Sequence, residues 1–219
     1  MKTKLHCAIA LLAFTAVAAQ AQQAGSWMAR VGATRISPDV SSGNLTPPSL
    51  PGTQADIEAD TQLSGGITYM VTDHWSVDLP LALPYKHEIV GAGAIAGVGK
   101  IGEVRALPIT LLGQYRFGVP TAQFRPYLGA GPTYAKFYHE RGTGVLSALT
   151  GVPSTTLTVG SKLALTVQAG ATMALNERWF VDAMVAKTFL KTRTTLSSGQ
   201  TLDIKSDPLT LALSVGYRF

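Results

Sequence analysis

The C-terminal stretch LTLALSVGYRF, residues 209–219, decides how this chain is read. Leu209, Leu211, Leu213, Val215, Tyr217 and Phe219 share one face of an extended chain; Thr210, Ala212, Ser214, Gly216 and Arg218 share the other. Side chains alternate sides along a strand, whereas a helix would scatter both sets. A terminal strand this regular must pair with another strand, because its unpaired edge would otherwise stay open.

The same period of two recurs upstream. It is clear at Trp75, Val77, Leu79, Leu81 and Leu83, and at Leu163, Leu165, Val167, Ala169, Ala171 and Met173. Weaker versions occupy SWMARVGATRIS (26–37), Leu63 to Val71, Leu107 to Phe117, RPYLGAGPTYAKFY (125–138) and WFVDAMVAKTFLKT (179–192). That makes eight expected strands, each long enough for the roughly 9–11 residues a tilted strand needs to cross a bilayer.

Their connections alternate in length. TDH (72–74), GVPTAQ (118–123) and NER (176–178) are short, while the segments at about 37–59, 85–104, 139–160 and 193–205 are long. Strict short and long parity predicts an all-β, eight-stranded antiparallel up-and-down transmembrane barrel of the outer-membrane type, its tight turns periplasmic and its long loops extracellular. Strand eight would close on strand one, leaving no edge. Pro38, Pro47, Pro48 and Pro51 forbid regular pairing through the first long loop, and Pro80, Pro84 and Pro132 each remove a ladder donor, so each marks a gap in the wall or, alternatively, a bulge or the natural end of a strand.

Composition agrees with export to a membrane. The 219 residues have a mean hydropathy of +0.20 with only 14% charged residues. Residues 1–21 read as a secretory signal: Lys2 and Lys4, an apolar run from Leu5 to Ala19, and cleavage after Ala21. The mature domain would then be 22–219. Losing Lys2 and Lys4 lowers the net charge from +5 to +3. The remaining basic residues are scattered, which argues against nucleic acid as a partner. Cys7 lies within the signal, so no disulfide or thiolate metal site is expected.

Several stretches resemble the OmpW family of outer-membrane proteins, which includes the relative AlkL, an alkane-uptake protein. They are WMARVGATRISP, LSGGITYMVTDHWSVDL, PYKHEI with His87, LPITLLGQYRF, RPYLGAGPTYAKFY and DPLTLALSVGYRF, in order along most of the mature chain. The resemblance implies a narrow, largely apolar passage for small hydrophobic molecules, with a lateral exit through the wall where pairing is interrupted. It also implies that Phe219 is the terminal signal read by the barrel-insertion machinery. Two departures stand out: only Pro108 precedes strand four where two prolines are expected, and GSKLALTVQAG lacks the acidic and tryptophan residues often found there.

Parity turns Arg30, Asp78, Gln114, Arg116, Gln168, Asp182 and Arg218 inward. An eight-stranded barrel is just wide enough for side chains, so Asp78 and Asp182 are expected to pair with Arg30 and Arg116 in an interior network. Met28, Met70, Leu112 and Met184 are the candidates for a greasy ligand path, core filler being the alternative reading of each. Trp27, Trp75, Trp179, Tyr115, Phe117, Tyr217 and Phe219 would form a girdle near the short turns, and Tyr134, Phe137, Tyr138 and Phe189 a second one near the long loops. GAGAIAGVGKIG (91–102) has no lysine followed by Ser or Thr and follows no βαβ pattern, so it reads as a flexible or close-packed loop and not as a phosphate cradle.

His74, His87 and His139 have no serine at a telling spacing, and no loop carries a compact run of acidic oxygens, so no catalytic residue, metal or cofactor is read. Expected partners are outer-membrane lipid and lipopolysaccharide, small hydrophobic ligands and the insertion machinery. The alternative reading is a non-transporting structural or recognition barrel whose loops bind surfaces, phage or bacteriocins.

Overall fold

The computed structural model describes residues 22–219; the expected signal at 1–21 lies outside the described residues. In chain order the strands are β1 (Trp27–Ser37), β2 (Ser41–Ser42), β3 (Thr53–Ile57), β4 (Asp60–Met70), β5 (Trp75–Ala82), β6 (Tyr85–Gly93), β7 (Lys100–Thr110), β8 (Leu112–Arg116), β9 (Phe124–Gly142), β10 (Leu157–Val159), β11 (Lys162–Ala174), β12 (Trp179–Phe189), β13 (Lys191–Leu196), β14 (Thr201–Lys205) and β15 (Leu209–Arg218). One helix, α1 (Gly144–Thr150), lies between β9 and β10.

Eight strands close the wall in the order β1, β4, β5, β8, β9, β11, β12, β15, all antiparallel, with β15 returning to β1. The closing seam runs from Met28↔Arg218 to Ser37↔Leu209, and the Phe219 amide donates to the Trp27 carbonyl at 2.8 Å. The terminal stretch therefore does not fray. Both its flanks are satisfied, since β15 also pairs with β12 from Trp179↔Tyr217 to Lys187↔Leu209.

Burial is inverted relative to a water-soluble domain. Leu63, Leu163, Leu165, Leu211 and Leu213 point outward and are exposed, while Asp78, Gln114, Arg116 and Arg125 are nearly or fully buried inside. Near the short turns the outward aromatics form contact pairs: Trp27 with Tyr69, Trp75 with Tyr115, and Trp179 with Tyr217, at centroid separations of 4.7, 5.2 and 5.2 Å.

The long segments are not coil. β6 and β7 form a hairpin over 85–110, β2 and β3 lie in the 37–59 segment, α1 and β10 in 139–160, and β13 with β14 span 191–205. These elements rise beyond the barrel as a cap. One layer continues the wall through β9, β7, β6 and β3, and the other is the sheet β10, β13, β14, β2. Between them Ile89, Ile95, Ile101, Val104, Leu146, Leu157, Leu196, Leu202 and Ile204 make an apolar core.

Ile95 and Ile101 belong to the glycine-rich stretch, which is thus a packed hairpin end. Helix α1 is held by Thr143, whose hydroxyl accepts from the Leu146 amide, and it ends at left-handed Gly151. Phe137, expected in an outer girdle, instead packs against this core, because it continues the odd-numbered, inward face of β9 that carries Arg125, Tyr127, Thr133 and Ala135. Tyr134 and Phe189 do face outward.

Candidate functional site

The barrel interior has two layers. At the short-turn end it is filled by a polar plug. Arg30 forms a bidentate pair with Asp78, Nη1 to Oδ1 at 2.7 Å and Nη2 to Oδ2 at 2.8 Å, and the Thr68 hydroxyl donates to the same carboxylate. This fork geometry gives a buried pair its best electrostatic return.

Of the four charges expected in the interior network, Arg116 and Asp182 make no direct ion pair. The Arg116 guanidinium donates to Ser76, Gln114, Thr172 and Gln22 and lies 4.7 Å from the Tyr127 ring centroid. Asp182 accepts instead from the Tyr127 hydroxyl at 3.0 Å and from Thr172 at 3.3 Å. Thr172 and Tyr127 stand between the two charges because both occupy inward positions on neighbouring β11 and β9.

Arg125, Tyr127 and Gln22 are plug residues that the charge-based reading passed over. Arg125 donates to four backbone carbonyls, those of Gln22, Asp73, Phe117 and Gly118, and so ties the turns together across the base. The signal for Arg125 and Tyr127 was present: they sit two apart in RPYLGAG, in phase with inward-facing Gly129. Arg218 covers the Phe180 ring at 5.4 Å.

Above the plug lies a cavity of about 150 Å³. Leu112, Met184, Gln168 and Arg30 line it toward the plug, and Ile89, Val159, Leu190 and Ile204 toward the cap. Met28 and Met70 do not line it; they are buried with Phe180 in a separate apolar cluster near the short turns. Parity had given their side of the wall, not their depth along it. Gln114 belongs to the plug, hydrogen-bonded to Ser76 and Arg116.

Much of the cavity wall is threonine. Hydroxyls of Thr110, Thr133, Thr166 and Thr188 form a chain across four strands at 2.8, 2.6 and 2.8 Å, and Thr34 bonds Ser64 at 2.6 Å. A hydroxyl engaged sideways with its neighbour leaves its methyl group as the exposed feature. This girdle makes a wall of polar residue type behave as an apolar surface.

The wall beside the cavity is interrupted. β5 pairs with β8 only from Trp75↔Tyr115 to Asp78↔Leu112, and pairing resumes between β6 and β7 at Tyr85↔Ala106. Among the described residues, no backbone pairing joins 79–84 to 107–111. Pro80 and Pro84 fall in that interval, with Pro108 opposite, and Pro80, Leu81, Ala82 and Pro108 also line the cavity. The lumen therefore meets the wall where the ladder is missing.

Pro132, the third expected gap residue, is placed elsewhere. It pairs with Leu165 and its carbonyl accepts from the Leu111 amide at 3.1 Å, so β9 stays continuous there. A proline lacks only its donor, and its carbonyl still holds the neighbouring strand. His74 Nδ1 lies 3.1 Å from the Arg116 carbonyl and His87 Nδ1 2.8 Å from that of Glu58, so both rings have backbone partners.

The chain matches the model of the OmpW family over residues 23–219. It is 31% identical to outer membrane protein W of Vibrio cholerae over 97% of this chain and 98% of that protein. It is 25% identical over 88% of each chain to the dibenzothiophene metabolism operon protein PahQ of Pseudomonas aeruginosa. Among solved structures, the outer membrane protein OprG from Pseudomonas aeruginosa superposes with a TM-score of 0.80 at 29% identity, covering 90% of this chain and 97% of that one.

Proposed function

The chain belongs to the OmpW family of bacterial outer-membrane barrels, and from that premise we propose that it is a passive passage for small hydrophobic molecules, with a sideways exit into the bilayer. The observation that carries this reading is the position of the gap. An apolar cavity is blocked toward the short-turn end by buried Arg116, Arg125 and Gln22, yet it reaches the wall between Pro80 and Pro108. A molecule that entered from the long-loop side would find the axial way closed by charged groups whose desolvation it could not repay.

Sideways, the same molecule meets apolar side chains and then lipid tails. The name of one relative, PahQ, ties that protein to dibenzothiophene metabolism, and small apolar molecules, open-chain or cyclic, are the class of cargo proposed for this chain. No residue acts chemically on the cargo in this scheme. The threonine girdle excludes charge, and the gap supplies the exit.

Ala106 provides the test, because it is buried, lines the cavity and flanks the first rung above the gap. Ala106→Trp should fill the lumen and cut uptake of a small alkane or monoterpene into cells or liposomes to near that of controls. The folded barrel would be verified by its electrophoretic shift on heating. If wild-type protein gave no faster uptake than protein-free liposomes, transport would be excluded and the recognition reading would stand.

A further inference from the structure

We propose that the outer lip of the wall gap is a binding site for the phosphorylated headgroup of an outer-leaflet glycolipid, which lays its acyl chains against the opening. The proposal rests on the sideways-exit reading only for what the lipid covers; the headgroup site stands on its own geometry.

Pairing resumes above the gap at Tyr85↔Ala106, and the next rung sets Lys86 directly opposite Arg105. Lys136 lies on the adjoining strand, where its register partner is Leu107 and Arg105 is matched with Tyr138. All three side chains are on the outward face and exposed. Like charges directly opposite on one face of a sheet destabilise it. Here Lys86 leans 3.4 Å from Glu103, but that carboxylate already accepts from Lys100 at 2.8 Å, as does Glu88 at 2.9 Å. Arg105 and Lys136 have no ion-pair partner among the described residues. The cluster thus holds uncompensated positive charge at one spot on the barrel.

That spot is the end of the lipid-facing apolar run. Toward the cap, outward Leu111, just after β7, and Ile109 on β7 give way to Arg105, and on β9 Pro132 and Tyr134 give way to Lys136. In the family's orientation this is the outer boundary of the hydrocarbon layer. A free phosphate could satisfy the charge. A phosphate tethered to acyl chains satisfies the charge and also covers the unpaired backbone and the apolar edges of 79–84 and 107–111. The position of the triad at the lip of a gap selects the lipid.

The test uses the full mature protein in phosphatidylcholine nanodiscs doped with bisphosphorylated lipid A bearing a diazirine on one acyl chain, or with its dephosphorylated form. Wild type should retain the bisphosphorylated lipid, and K86Q/R105Q/K136Q should retain it about a hundredfold less, since each cation near an anionic headgroup contributes about fivefold. R35Q/K187Q, placed elsewhere on the wall, should bind like wild type. Photo-crosslinks should concentrate in 79–84 and 107–111.

Equal retention by wild type and the triple variant would overturn the proposal, as would equal retention of both lipid forms or crosslinks spread evenly around the barrel. Displacement of the lipid by millimolar inorganic phosphate would assign the site to free phosphate instead. None of these readouts involves cargo uptake, so failure here and failure of transport are separable.

Discussion

The buried pair of Arg30 and Asp78 shows how a single position constrains this interior. The Asp78 carboxylate is fully buried and takes both prongs of one guanidinium plus the Thr68 hydroxyl. Removing one partner leaves an uncompensated charge, a loss of about 3–5 kcal/mol, whereas replacing both with apolar residues of similar volume is often nearly neutral. Asp78→Leu should therefore lower the urea midpoint of the barrel in lipid vesicles far more than the double change Arg30→Met with Asp78→Leu. Equal losses would mean that the pair acts independently of charge. Both residues were legible in the sequence as inward and charged. Which charges meet was not, because Asp182 lies as close in parity to Arg116 as Asp78 does to Arg30. Only the intervening Tyr127 and Thr172 decide it. Met28 and Leu112 teach the same lesson, since a period of two reports the face of a strand and says nothing of height above the plug.

Among the elements, the β6 to β7 hairpin departs furthest from what alternation alone predicts. Its glycines conceal the apolar positions that matter, Ile89, Ile95 and Ile101, so a packed hairpin reads as a loop. Proline was a better guide at the gap, where Pro80 and Pro84 coincide with lost pairing, although Pro132 shows that a missing donor need not open a wall. The hairpin's outer face is held by Lys100 between Glu88 and Glu103. The hydrogen bond from Lys100, against slight burial and with help from Lys86, holds the Glu103 carboxyl below its ordinary value. A depressed carboxyl stabilises the fold at every pH above its unfolded value of about 4.3, and that contribution disappears as pH falls through the lower folded value. The contribution is small because the pair is exposed. In a carboxyl carbon NMR titration, Glu103 should show a midpoint below that of an unperturbed glutamate, rising toward it in Lys100→Met. An unchanged midpoint would remove Lys100 as the cause.

At the scale of the molecule, barrel and cap are two bodies of opposite construction that share one apolar line. The barrel is polar within and apolar without, as a bilayer demands, and the cap is apolar within like any water-soluble sandwich. They meet at Ile89, Thr194 and Ile204, which border both the lumenal cavity and a second cavity of about 60 Å³ inside the cap. In the proposed passage, these residues form the constriction between the cap and the gap. Ile204 is its most informative member. It is buried in the cap core and paired with Thr192 and Ser42, outside the closed ring of eight strands. Ile204→Ala should cost the cap about 2–5 kcal/mol by opening a void. The ring should remain intact, so proteolysis at neighbouring Lys191, Arg193 and Lys205 would quicken while the heat-dependent electrophoretic shift of the barrel persists. With the constriction relieved, uptake of a small monoterpene should rise, and Ile204→Trp should lower it. If both substitutions left uptake at the wild-type rate while proteolysis confirmed the softened cap, cargo would have to enter by another way, and the cap would be a recognition surface standing over an independent side door.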